Sequence, residues 1–313
     1  MSLRMIQDWR GLDETLKGAS VALGAFDGVH RGHRQVIADA ARAAGALKAP
    51  LGVISFEPHP SRWFDPKREP FLLTTLAQRA QLLSDLGVDL FYVLPFDGRM
   101  ANLSDEAFVR EVLVDGLGVR HVSAGFDVTF GKGRSGSSEA LMRYGEQFGF
   151  GVSITQPVAD AAGGKCSSSV IRDHLRAGRP ELAAEMLGRP FAVEGVVVHG
   201  DHLGRTIGFP TANIALEDYV RPEPGIYAMR TRLGDGREIP GVGYVGRRPT
   251  VNGLDERLEV FLFDFDEDIY GQTLEIDLVA FIRGDRKYDD LPTMVTQMNL
   301  DVQAAHAILT PEI

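Results

Sequence analysis

The strongest constraint in this chain is a change of apolar period near residue 189. From residue 20 to about 158, short apolar runs of the buried-strand kind recur: Val21–Phe26, Leu51–Phe56, Leu90–Phe96, His121–Ala124 and Val152–Thr155. Helical patterns separate them. Arg34–Leu47 carries Val36, Ile37, Ala40, Ala41, Ala44 and Leu47 on one face, Leu76–Leu86 runs into Gly87, and Ser104 followed by Asp105 and Glu106 reads as a capped helix start. Alternation of this kind predicts a doubly wound α/β layer with a parallel sheet, in which ligands lie beyond the carboxyl ends of the strands. Residues 167–187 read as two short helices, with Pro180 opening the second. After Arg189 the runs Phe191–His199, Gly225–Leu233, Leu258–Phe265 and Thr273–Ile282 are strand-like without helices between them, and Gly234-Asp235-Gly236 reads as a hairpin turn. That half predicts an antiparallel barrel or sandwich, closed by a helix over Asp290–Leu309.

Composition bounds what two such modules can do. The 313 residues are 44% hydrophobic, enough for two folded domains, and carry 43 Asp and Glu against 33 Lys and Arg. A formal charge of −10 opposes broad binding to nucleic-acid backbones, but leaves nucleotides, which need only local donors. Cys166 is the one cysteine, which excludes a disulfide scaffold and suits a reducing compartment. No apolar run reaches the ~18 residues of a membrane span and no secretory signal opens the sequence, so a cytoplasmic protein with no membrane partner is expected.

Two segments carry candidate chemistry. Gly24-Ala25-Phe26-Asp27-Gly28-Val29-His30-Arg31-Gly32-His33 ends a strand and opens a helix. Glycines there admit a phosphate close to the backbone, the helix start offers N–H donors, and His30 and His33 add two more. Charge stabilisation of a transferring phosphoryl or nucleotidyl group needs little else. The same histidines could be metal ligands lacking a third partner, or polar residues at a helix start. The second segment, His199 to Asn213, holds Gly200, Gly204 and Gly208 with Arg205, and closes on Pro210-Thr211-Ala212-Asn213. If extended, Thr211 and Asn213 share a face and offer two neutral oxygens of the kind Mg²⁺ accepts beside substrate phosphates; a glycine-rich turn with a polar edge is the alternative. In Leu258–Phe265, Glu259 faces away from Leu258, Val260 and Leu262, either as a solvent-facing strand residue or as a base for a hydroxyl proton.

The first segment resembles the His-x-Gly-His motif of the nucleotidyltransferase superfamily, and with Phe-Asp-Gly before it resembles the bacterial bifunctional riboflavin kinase/FAD synthetases. Phe56-Glu57-Pro58-His59-Pro60, Gly125–Arg134 and Ser167-Ser168-Ser169-Val170-Ile171-Arg172 resemble further motifs of that family in order, as do Gly204–Asn213, the Glu259 strand and Tyr270-Gly271. The resemblance implies a nucleotidyltransferase-type domain over 1–186 that adenylylates FMN, and a β-barrel riboflavin kinase domain over 187–313. It implies ATP and Mg²⁺ as cofactors, with riboflavin, FMN and FAD as substrates and products. In the first domain it implies that His30 and His33 hold ATP phosphates with Gly24, Phe26, Gly28, Gly32, Ser167, Ser168 and Arg172, while His59, Asp127 and Arg134 meet the flavin. In the second it implies ATP along Gly200, Gly204, Arg205, Gly208 and Pro210, Mg²⁺ on Thr211 and Asn213, Glu259 as the base, and Arg283 beside the flavin. Four places depart from the family pattern: Val128 replaces an aromatic, Ser169 a Thr, Tyr244 an Asn, and Gly284-Asp285 a Pro-Glu.

Overall fold

The computed structural model describes residues 3–159, 163–199 and 207–310, except 251 and 252, with 247–250 and 253–255 as backbone. The chain forms two compact units, Met1–Arg68 with Leu76–Cys166, and Glu69–Thr75 with Ser167–Ile313.

The first unit is the expected doubly wound layer. Among the described residues its strands are β1 (Arg4–Ile6), β2 (Ser20–Leu23), β3 (Leu51–Glu57), β4 (Leu90–Pro95), β5 (His121–Gly125) and β6 (Gly151–Thr155), paired in parallel in the order β1-β4-β3-β2-β5-β6. The chain moves outward from β2 through β3 to β4, then returns to β5 on the other side of β2. The strand order therefore reverses at the carboxyl end of β2, where a doubly wound sheet opens a crevice. The helices are α1 (Arg31–Leu47), α2 (Pro60–Phe64), α3 (Leu76–Asp85), α4 (Gly98–Asn102), α5 (Asp105–Ala107) and α6 (Ser138–Phe148). α1 buries Val36, Ile37, Ala40 and Ala44, the face its period predicts, but starts three residues before Arg34 because His30 caps it. Gly87 follows α3 with φ 77°, and Ser104 caps α5 by accepting from the Ala107 N–H. From Phe108 to Gly116 the helix continues as a π-helix, which no apolar spacing announced.

The second unit begins with α7 (Ser168–Arg176) and α8 (Pro180–Leu187), then β7 (Phe191–Val196), β8 (Ala212–Ala215), β9 (Gly225–Arg232), β10 (Glu238–Thr250), β11 (Gly253–Leu262), β12 (Thr273–Gly284) and α9 (Leu291–Leu309). Its antiparallel order is β7-β12-β9-β10-β11-β8, and a bridge from Val198 to Asn213 joins the two ends into a nearly closed barrel. Asp290 caps α9, which lays Ala305 and Leu309 against Ala228, Val242 and Phe263. The hairpin at Gly234–Gly236 joins β9 to β10, a strand whose apolar period is hidden by Pro240, Gly241, Gly243, Gly246 and Pro249. The compact units part at Cys166/Ser167, because α8 buries Ala183, Met186 and Leu187 and packs on β7 and β12. Residues 69–75 also belong to this unit: Phe71 and Leu72 donate to the Asp218 carbonyl, and Val220 donates to that of Leu72.

Candidate active sites

In the first unit the crevice at the end of β2 is a cavity of about 720 Å³, walled by residues from the carboxyl ends of β2, β3, β4 and β5. Gly24 and Ala25 enter it from β2, His59 follows β3, and Val128 to Arg134 follow β5. Its apolar wall is aromatic. Phe96 meets Phe56 edge-on at 5.8 Å and Phe64 at 5.7 Å, while Phe108 and Phe130 stand 5.7 Å apart. Flat apolar walls with a few cations at the rim, here Arg68 and Arg134, suit a planar ring system carrying a phosphate. The family resemblance pointed to His59 and Arg134; the phenylalanines were missed, though Phe56 and Phe96 stand at strand ends, on the carboxyl edge where sheet packing runs out.

The His30–His33 pair sits on the same loop. His30 caps α1 through Nδ1, which accepts the His33 N–H at 3.2 Å. In the neutral ring the proton is then on Nε2, which makes that atom a donor. The two rings stack with centroids 3.6 Å apart, so one cannot move without the other. Gly32 explains how this fits: a Cβ there would lie 3.0 Å from His30 Cε1 and 3.1 Å from Nδ1. Cys166 is buried, with Sγ 3.7 Å from Nδ1. Gly28 has φ 87°, and the Phe26 ring covers Gly24, where a Cβ would come within 3.3 Å of it.

The other expected residues are placed as follows. Ser167 caps α7 through the Val170 N–H, and Ser168 is its first residue. Arg172 donates from Nε to the Phe71 carbonyl at 2.6 Å, with its guanidinium over the Phe71 ring, so residues 69–75 set its orientation. Asp127 forms an ion pair with Lys165 and is not among the residues lining the cavity. The glycine-rich segment that carries it is fastened: Lys132 donates to the Leu103 carbonyl at 2.7 Å, and Gly131 packs directly on Asp105.

In the second unit, strand register aligns the expected residues. Asn213 of β8 pairs with Glu259 of β11, Glu259 with Tyr244 of β10, Tyr244 with Ile226 of β9, and Ile226 with Arg283 of β12. Directly paired residues share a face, so these five form one row across the barrel. Leu258, Val260 and Leu262 are buried on the opposite face, as the alternation predicts. Asn213 uses Nδ2 on the Thr211 carbonyl at 3.2 Å, which leaves Oδ1 as its acceptor. Asn213 Oδ1 and the Thr211 hydroxyl are neutral oxygens of the kind that fits Mg²⁺ shared with substrate phosphates. Tyr244 lies over Gly246, where a Cβ would come within 2.0 Å of its ring, and its hydroxyl donates to Asp285 Oδ2 at 3.1 Å.

Arg283, expected beside the flavin, has an acidic partner on α9. Its Nε and Nη2 grip Asp301 on α9 at 2.9 and 2.6 Å, and Nη1 donates to the Gly284 carbonyl, so its guanidinium clamps α9 to the barrel. Gly208, with φ 84°, and Pro210 precede β8, whereas Gly200, Gly204 and Arg205 lie outside the described residues.

Comparison with known proteins agrees with both halves. A family model described as FAD synthetase matches residues 12–170, and one described as riboflavin kinase matches residues 187–309. A bifunctional riboflavin kinase/FMN adenylyltransferase of Haemophilus influenzae is 37% identical over 306 residues, covering 97% of this chain and 99% of that protein. Its counterpart in Escherichia coli K12 is 38% identical over 286 residues, 91% of each chain. A crystal structure from Streptococcus pneumoniae, described as a macrolide-efflux protein, superposes over 100% of both chains with a TM-score of 0.86 and 31% identity. Among the described residues here, no helix is long and apolar enough to cross a membrane.

Proposed function

The chain belongs to the bifunctional riboflavin kinase/FMN adenylyltransferase family, and from that premise we propose how its residues divide the two reactions. The family's activities are phosphorylation of riboflavin to FMN and adenylylation of FMN to FAD, with ATP as the donor in both.

The aromatic cavity at the strand-order reversal carries the assignment of the first unit. It takes the isoalloxazine of FMN between Phe56, Phe96 and Phe108, with His59 and Arg134 at the rim. The FMN phosphate attacks the α-phosphorus of ATP, the bond from that phosphorus to the bridging oxygen breaks, and pyrophosphate leaves. Charge grows on the phosphoryl oxygens, and His30 Nε2–H, His33 and the α1 N–H groups offset it. By family resemblance Gly24, Phe26, Gly28 and Gly32 meet ATP phosphates by leaving the backbone approachable, and Ser167, Ser168 and Arg172 are phosphate donors at the start of α7.

In the second unit Glu259 takes the proton of the ribityl 5′-hydroxyl as that oxygen attacks the γ-phosphorus of ATP, and ADP leaves. Thr211 and Asn213 would hold Mg²⁺, which would offset phosphate charge, and Gly208 and Pro210 border the nucleotide. Asp127, paired with Lys165, and Arg283, paired with Asp301, are assigned to the flavin on family resemblance. The partners are small molecules, and the single cysteine supports a cytoplasmic location. Incubation with riboflavin, ATP and Mg²⁺, followed by separation of the flavins, is expected to give FMN and then FAD; absence of both products overturns the assignment.

A further inference from the structure

Under the His30–His33 loop lies a group that neither reaction uses. Arg79, on α3, is 2% exposed, among the largest fully buried side chains in the molecule. An arginine is rarely buried unless its donors are matched. Here they are matched on one side only. Nη1 donates to Ser55 Oγ at 3.2 Å, Nη2 stands 3.9 Å from Asp27 Oδ1, and Nε has no acceptor. A buried guanidinium left partly unsatisfied is a poor device for stability, because an apolar side chain of similar volume costs less to bury.

Both of its contacts lead to one loop. The Ser55 hydroxyl donates to the Ala25 carbonyl at 2.8 Å, and Asp27 is itself 1% exposed in that loop. The loop is strained. Phe26, Gly28 and Val29 have φ of 52°, 87° and 42°, and neither a phenylalanine nor a β-branched valine adopts such values willingly. Conformations of this kind persist only where the surroundings over-determine them, and cluster where geometry serves function. The next residue is His30, whose ring caps α1 and stacks on His33. A shift of the loop therefore moves both rings.

We infer that Arg79 is a positioning residue for nucleotidyl transfer: its guanidinium holds Asp27 directly and Ala25 through Ser55, fixing the loop that aims His30 and His33. The inference rests on those histidines acting on the phosphates of ATP. A misplacement of about 1 Å costs roughly 100-fold in rate.

The test is Arg79→Met in the full chain, assayed for FAD formation from FMN and ATP, with FMN affinity read from quenching of flavin fluorescence. Arg79→Met is expected to lower kcat about 10- to 100-fold (on the order of a 1 Å displacement), while the FMN Kd and the riboflavin kinase rate of the same preparation stay within about twofold. Unchanged kcat overturns the assignment, and so does loss of FMN binding in step with kcat, which would make Arg79 a support of the fold only. If the Met variant does not fold, Arg79→Lys decides, because one ammonium cannot serve both Asp27 and Ser55: lower kcat at intact FMN affinity supports the role, and wild-type turnover overturns it. His33→Ala in the same assay separates the premise: full activity there removes the phosphate role of the pair, whereas an inactive His33→Ala beside a fully active Arg79→Met removes only the inference.

Discussion

Gly32 shows how far one hydrogen atom can decide a site. Alanine there gains helix propensity of up to about 1 kcal/mol, yet its Cβ would press on the His30 ring at 3.0 Å. Gly32→Ala is therefore expected to cut FAD formation about tenfold with thermal stability equal or raised, the reverse of an ordinary damaging substitution; melting curves beside an FMN-to-FAD assay check it. The motif around Gly32 was legible in the sequence because its chemistry is local: strand end, glycines, helix start and two histidines follow one another. Arg79 was not, since a lone arginine in a helical pattern reads as a surface residue until tertiary packing buries it. For Arg283 the ion pair was not legible. Its acidic partner Asp301 is 18 residues away, and only the docking of α9 brings them together. Asp301→Ala is expected to destabilise the second unit by about 2–3 kcal/mol, since it strands a half-buried guanidinium; urea denaturation followed through kinase activity measures it.

At the scale of elements, strands with clean alternation were legible and strands broken by glycine and proline were not. β10 is the instructive case: backbone pairing on both sides holds it extended, so its residues need no strand propensity of their own. β12 supplies a pH-dependent prediction. Burial, aided by the charge of Glu275, pushes the Asp277 carboxyl up to about 6, with Glu238 adding to the rise and Arg232 and Arg189 opposing it. The folded state then holds a proton that the unfolded chain, titrating near 3.8, has lost. Stability contributed by this group is present at low pH, falls as pH rises through about 4 to 6, and stays lost above that. A rise of that size corresponds to on the order of 2–3 kcal/mol. Asp277→Asn is thus expected to raise the melting temperature of the second unit at about pH 8, and to raise it far less at about pH 5, below the folded value. Equal gains at both would mean that the carboxyl is not the cause.

For the whole molecule, the period change near residue 189 located where the barrel strands begin, but not where the second unit begins. α7, α8 and residues 69–75 join that unit through apolar faces and a few backbone bonds, signals too short for any period to carry. What the change of period did reveal is that two kinds of sheet share one chain. His30 and His33 stand at the end of a parallel strand of the first unit, and Asn213, Glu259 and Tyr244 lie in one antiparallel row of the second. In the proposed assignment each set of groups serves a separate phosphate transfer, so damage to one should spare the other. Glu259→Gln keeps the shape of the side chain and removes the proton acceptor. It is expected to lower FMN formation from riboflavin by about 100-fold or more, within the range for a lost general base, while FAD formation from supplied FMN continues. His33→Ala should do the opposite, leaving FMN to accumulate from riboflavin with little FAD. The measurement is a time course of riboflavin, FMN and FAD for each variant, begun once from riboflavin and once from FMN. Loss of both reactions in either folded variant would mean that the two transfers share a group, and that the division of labour between His33 and Glu259 is wrong.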